Sequence, residues 1–119
     1  MAFSHVLVTE AELDAMAGEN VDTTGWIEAN KQAWANQAGG YLCALMSYDL
    51  ITNVASLTAN GKQIFAEYIA RYCAINGIAY NMAGFTTRQE AENLIDIHAY
   101  RIEKIEKELK NKSTQDYLK

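Results

Sequence analysis

Ile64-Phe65-Ala66-Glu67-Tyr68-Ile69-Ala70-Arg71-Tyr72-Cys73-Ala74-Ile75 is the stretch on which the fold turns. At helical spacing, apolar side chains at 64, 65, 68, 69, 72, 75, 78, 79 and 82 cover more than the roughly 100° stripe of a surface helix. Such a helix has to be enclosed, by the rest of its own chain or by copies of itself. A chain of 119 residues has little material for the purpose. The expectation is therefore an all-α protein that assembles, and not an enzyme.

Working outward, Thr58 is the N-cap candidate for this central helix, which the pattern predicts over 59–83, with Gly84 as its stop. Upstream, residues 47–58 form an extended loop with five apolar side chains: Tyr48, Leu50, Ile51, Val54 and Leu57. A solvated connection does not need so many. Either the loop folds back on the core or it is a protein-contact surface. Before it, a helix is predicted over 25–46, with Asp22, Thr23 and Thr24 as N-cap candidates. Ile27, Trp34, Ala38, Tyr41, Leu42 and Leu45 recur at helical spacing, and Glu28, Gln32 and Asn36 fall opposite. Gly39-Gly40 inside this helix marks a bend or a close approach. Thr9-Glu10-Ala11-Glu12 is a capping box that opens a short helix over 10–17, closed by Gly18.

Downstream, Thr87-Arg88-Gln89-Glu90 is a second capping box, opening a helix whose inner stripe is Ile95, His98, Ile102, Ile105 and Leu109. Its Glu103/Lys107, Glu106/Lys110 and Glu108/Lys112 pairs have the favourable i,i+4 order. Residues 111–119 are polar except Tyr117 and Leu118, a composition expected of a loose end or of a docking tail. The predicted architecture is a bundle of about four helices over 1–110 followed by a C-terminal tail over 111–119.

Composition narrows the function. Half of the residues are hydrophobic and 21% charged, so the chain folds, and with no proline its helices run uninterrupted. Residues 1–60 carry seven acids and one base, Lys31, whereas 61–119 carry eight acids and nine bases. An acidic front half repels phosphate backbones and argues against sequence-specific DNA binding. It also leaves room for contact between an acidic face and the more basic C-terminal face of a neighbour. Cys43 and Cys73 sit at apolar helical positions without CxxC spacing and read as buried free thiols. No leader peptide is evident, and the longest apolar run, residues 41–46, is far below the ~20 residues of a membrane span. The expectation is a soluble protein made in a cytoplasm, with no membrane contact.

Little here suggests catalysis. The chain has no GxSxG, P-loop or GxGxxG motif. Of its two histidines, His98 lies on an apolar stripe and reads as structural. Glu67 sits one turn from Arg71 and reads as an ion pair. Glu90 with Asn93, or Glu92 with Asp96, amounts at most to an adventitious cation contact. Trp26, Trp34 and the seven tyrosines follow core spacing rather than a stacking platform for single strands. No catalytic, cofactor or metal residue is assigned.

The order of segments resembles the small head–tail connector proteins (adaptor or head-completion proteins) of tailed bacteriophages. The resemblance spans about residues 7–110. Val8-Thr9-Glu10-Ala11-Glu12-Leu13 precedes a short helix, a long helix ends in Tyr41-Leu42, an extended loop follows, and Ala70-Arg71-Tyr72 lies in a buried helix. The family's loop proline is missing, with residues 53–57 standing in its place. The resemblance implies a virion protein of the neck, assembled in the host cytoplasm. It would be a homo-oligomeric ring, a dodecamer if the family holds, beneath the portal protein. That ring would extend the DNA channel, with DNA only passing through, and would meet the next neck or tail protein on its other face. It further implies contacts through Tyr48, Leu50, Ile51, Val54 and Leu57 of the loop, and portal docking through Tyr117 and Leu118 of the tail. Competing readings are a small homo-oligomeric all-α regulatory or inhibitor protein, a bundle enzyme, which would need paired Glu and ExxH positions that are missing, and another tail-completion protein.

Overall fold

The computed structural model describes residues 3–18, 21, 24–80 and 88–118. Among these residues there are five α-helices and no strand: α1 (Glu10–Ala17), α2 (Glu28–Met46), α3 (Ala59–Tyr80), α4 (Arg88–Leu109) and α5 (Lys112–Leu118). A 3-10 turn, Val54–Ser56, interrupts the α2–α3 connection. The second capping box and the stop at Gly84 lie outside the described residues, apart from Arg88, Gln89 and Glu90 in the first turn of α4.

The helix starts are set by local chemistry. Thr9 accepts from the Glu12 amide at 3.3 Å and Glu12 returns a bond to the Thr9 amide at 2.9 Å, which is the expected capping box. Thr58 caps α3 by accepting from the Gly61 amide at 3.0 Å. By contrast, α2 begins at Glu28, after an extended Ile27 without a side-chain cap. The late start follows from Trp26, which turns back onto α3. A Cβ at Gly77 would lie 2.4 Å from Trp26 Cε3, so that face of α3 is bare where the indole lands.

α3 lies at the centre, packed by α1, α2 and α4, with α5 against its first turn. Phe65, Ile69, Cys73 and Ile78 from α3, Leu13 from α1, Leu42 from α2 and Leu109 from α4 are fully buried. The chain therefore encloses most of its apolar helix itself, and Tyr72 and Ile75 remain half-buried. Short α1 and the tail supply part of this cover.

Two elements differ from expectation. The inner face of α2 is Lys31, Ala35, Ala38, Gly39, Leu42 and Met46, while Ile27 and Tyr41 are exposed. Small side chains bring α2 close to the core, and close approach decides its rotation over side-chain size. Gly39 makes room for the N-terminal segment instead, since a Cβ there would sit 3.0 Å from His5 Nε2, whereas Gly40 faces open space. The tail, in turn, is not loose. Asn111 Oδ1 caps α5 by accepting from Ser113 and Thr114 amides at 2.9 and 3.3 Å. Leu118 is then buried beside Gly61, where its carbonyl takes the Thr58 amide at 3.1 Å.

Candidate functional site

An open groove of about 680 Å³ lies between α2 and α4. These two helices touch only sparsely, so α3 forms its floor. Tyr68, Tyr72, Ile75 and Asn76 come from α3, Gln37 and Tyr41 from α2, and Ala99, Ile102, Glu103 and Glu106 from α4. The spacing 68, 72, 75 on one helix is what aligns the floor: residues three and four apart share a face.

The groove is aromatic with a carboxylate rim. The Tyr41 and Tyr68 rings lie parallel, 6° apart in plane with centroids 6.4 Å apart. A hydrogen bond to Glu106 raises the Tyr41 pKa and links the two walls. Burial, reinforced by the Glu106 charge, pushes the Tyr68 hydroxyl up as well. The Tyr72 hydroxyl donates to Gln37 Oε1 at 3.4 Å, and Asn76 spends its amide on the Tyr72 carbonyl at 2.9 Å. The charged groups among these lining residues are both anionic. Such a surface offers flat apolar contact and attracts cations; it contains no nucleophile–base pair.

Around the edge of α3 lies a polar cluster. Arg71 Nε donates to Glu67 at 2.7 Å, the i,i+4 pair read from sequence, and Arg101 Nε and Nη2 grip the same carboxylate at 2.9 and 3.1 Å. The Arg101 hydrogen bonds hold its pKa below the usual carboxylate range against the opposing effect of partial burial, with Arg71 adding to the lowering. A carboxylate so stabilised is a poor proton acceptor, in keeping with the ion pair expected from its spacing to Arg71. Arg71 Nη1 also reaches His98 Nδ1 at 3.1 Å. Because a guanidinium only donates, Nδ1 accepts and the ring is neutral. Burial lowers the His98 pKa and the Arg71 charge lowers it further, against a hydrogen bond to the Met16 backbone. His98 is thus a structural joint between α4, α3 and α1.

The loop and tail positions singled out from sequence scatter. Leu50 and Leu57 are core residues, Tyr48 and Val54 are half-buried against the core, and Ile51 is exposed. The fold-back is driven by Asp49, which accepts from the Thr52 amide and hydroxyl at 3.0 and 2.7 Å. Tyr117 is exposed, with its hydroxyl accepting from Asn60 at 2.8 Å, while Leu118 is enclosed. None of these seven residues lines the groove.

Core spacing places Tyr68 correctly, since it is buried, but not Tyr41, which is exposed, or Tyr72, which is half-buried. The available signal was the isolated pair Tyr68/Tyr72 at i,i+4, which only the splay of α2 from α4 turns into a floor. Cys43 and Cys73 are free thiols as expected, with Cys73 fully buried and pushed up to about 12 by burial. Among the described residues no group of three or more His, Cys, Asp or Glu is placed to hold a metal ion, and no helix is long and apolar enough to cross a membrane. Comparison of the chain with protein-family models, curated proteins and solved structures finds no match in any of the three.

Proposed function

We propose that this chain is a non-catalytic structural protein of a phage virion, a head–tail connector subunit. In this reading, copies form a ring beneath the portal protein and join it to the next neck or tail protein, and DNA passes through the channel. The order of segments supports the family. The observation that carries the assembling role is the concave aromatic groove between α2 and α4. The acidic balance of residues 1–60 suits a channel wall that lets DNA slide without adhering. Of the loop and tail contacts, Ile51 and Tyr117 are available on the surface, while Leu118 would reach a portal only if α5 lifted from Gly61.

Electron microscopy of the purified chain, alone and mixed with portal protein, tests this. Rings or decorated portals are expected. A chain that stays monomeric and ignores the portal overturns the reading.

A second reading, a small homo-oligomeric regulatory or inhibitor protein that binds a protein partner, is favoured by one observation. Among the described residues, the chain itself encloses most of α3. It differs in outcome: a discrete dimer and no ring, by mass measurement under native conditions.

A further inference from the structure

We infer that the α2–α4 groove receives a short amphipathic helix of a different protein, which lays apolar side chains on Tyr72 and Ile75 and sets lysines or arginines against Glu103 and Glu106. The inference rests on the assembling role proposed above and names the chemistry of the partner.

The uncommitted groups of the groove decide that chemistry. The Tyr72 hydroxyl donates to Gln37, and Asn76 gives its amide to the Tyr72 carbonyl, so these polar groups answer one another. What remains for an occupant is apolar surface and two carboxylates. Among the described residues, neither Glu103 nor Glu106 is in an ion pair. Lys107 and Lys110, one turn further along α4, do not close on them despite the favourable i,i+4 order. Glu106 accepts from Tyr41 and keeps lone pairs for other donors. Carboxylates in this setting favour a charge-assisted donor and repel a phosphate.

The form of the partner follows from the shape. Tyr68, Tyr72 and Ile75 line the floor, and the distance from first to last is about 10 Å at 1.5 Å per residue. That is about two turns of a bound helix, the usual occupant of an apolar groove between helices. Both carboxylates stand on α4, at i and i+3, whereas the α2 wall offers Gln37 and Tyr41 without charge. The anionic edge is therefore one-sided. Its complement is a helix with an apolar stripe and bases along a single flank, one turn apart. Apolar contact would supply affinity, and the charge pairs would fix orientation and make binding sensitive to salt.

A second copy of this chain fits less well. Lys31 is buried, and Arg71 and Arg101 are held on Glu67. Lys104 and Lys107 share the outward side of α4 with Glu103 and Glu108, so that side has no unopposed positive flank.

The probe is an acetylated, amidated leucine–lysine peptide of about 14 residues, with its lysines along one flank of the leucine stripe. A leucine–glutamate counterpart is the control. Fluorescence anisotropy with the full chain reads binding, and circular dichroism verifies the fold of each variant. The lysine peptide should bind and weaken with salt, and the glutamate peptide should not bind. Because the whole chain carries a charge of −5, attraction alone decides nothing. Glu103→Gln with Glu106→Gln should weaken the lysine peptide about tenfold or more. Glu28→Gln with Asp116→Asn, an equal loss of charge at exposed positions off the groove, should leave it unchanged. Glu103→Lys with Glu106→Lys should transfer the preference to the glutamate peptide. Failure of the lysine peptide to bind, or equal weakening by the groove and control variants, overturns the inference. So does self-association of the chain in sedimentation velocity that the glutamine variant abolishes, which would make a second copy the occupant. Portal decoration decides the connector reading separately.

Discussion

Ser47 ends α2 with φ 50°, the left-handed region, and among the described residues it is the one non-glycine there. An L-residue in that conformation is held at a cost of about 1 kcal/mol. Its amide donates to Ala44 O, so the geometry is that of a helix C-cap that usually takes glycine. Ser47→Gly should raise stability by about 0.5–1 kcal/mol in urea unfolding; a loss would mean that the serine side chain contributes a bond outweighing the strain. Gly77 is the opposite case. Alanine there would press a Cβ into the Trp26 ring, and Gly77→Ala should cost about 1–3 kcal/mol. His98 gives the pH dependence. Its folded pKa lies below the unfolded value of 6.5, so the unfolded chain binds the proton more tightly. The contribution is present above pH 6.5 and is lost as pH falls below it, by up to about 1.4 kcal/mol per pH unit. Burial lowers His5 in the same sense. His98→Gln should flatten the decline in thermal stability between neutral and mildly acid pH to what His5 alone produces. An unchanged decline would remove His98 as its source. Glu67 acts in a separate window, since its lowered pKa gives stability that fades only as pH falls below the ordinary carboxylate value.

At the scale of elements, α5 carries the sharpest expectation. Leu118 is fully buried, so Leu118→Ala should destabilise the fold by about 2–4 kcal/mol in denaturant titration. Tyr117→Ala, at an exposed ring, should change it by well under 1 kcal/mol. A loose tail would make the two indistinguishable. This element also marks where sequence reading ended. The Thr9–Glu12 box, the Thr58 cap and the Glu67–Arg71 pair were legible because both partners lie within four residues. The α5 dock was not, because Leu118 finds Gly61 and Thr58 from nearly sixty residues away. The same holds for Arg101, which reaches Glu67 across 34 residues. α2 failed differently: its large side chains suggested a face, and Ala35, Ala38 and Gly39 set another by allowing close packing.

For the whole molecule, the helical class and the order of the helices were readable, and the surface was not. A groove with Tyr68 and Tyr72 on its floor and Tyr41 on its wall exists only because α2 and α4 splay over α3, a relation between three helices that no single period encodes. The extents, 43 × 32 × 20 Å, are those of a slab about two helices thick, in which a central helix is left partly open along the seams between the helices that pack on it. The groove is such a seam.

Thr58 belongs to two structures at once: its hydroxyl receives the Gly61 amide at the first turn of α3, and its own amide grips the Leu118 carbonyl. The polypeptide is thereby buckled, its far end clasped to its middle like a strap through a ring. A tug on that end would load the central helix before any other, and even a modest cargo fused there would be felt as faster amide exchange in the opening turn of α3.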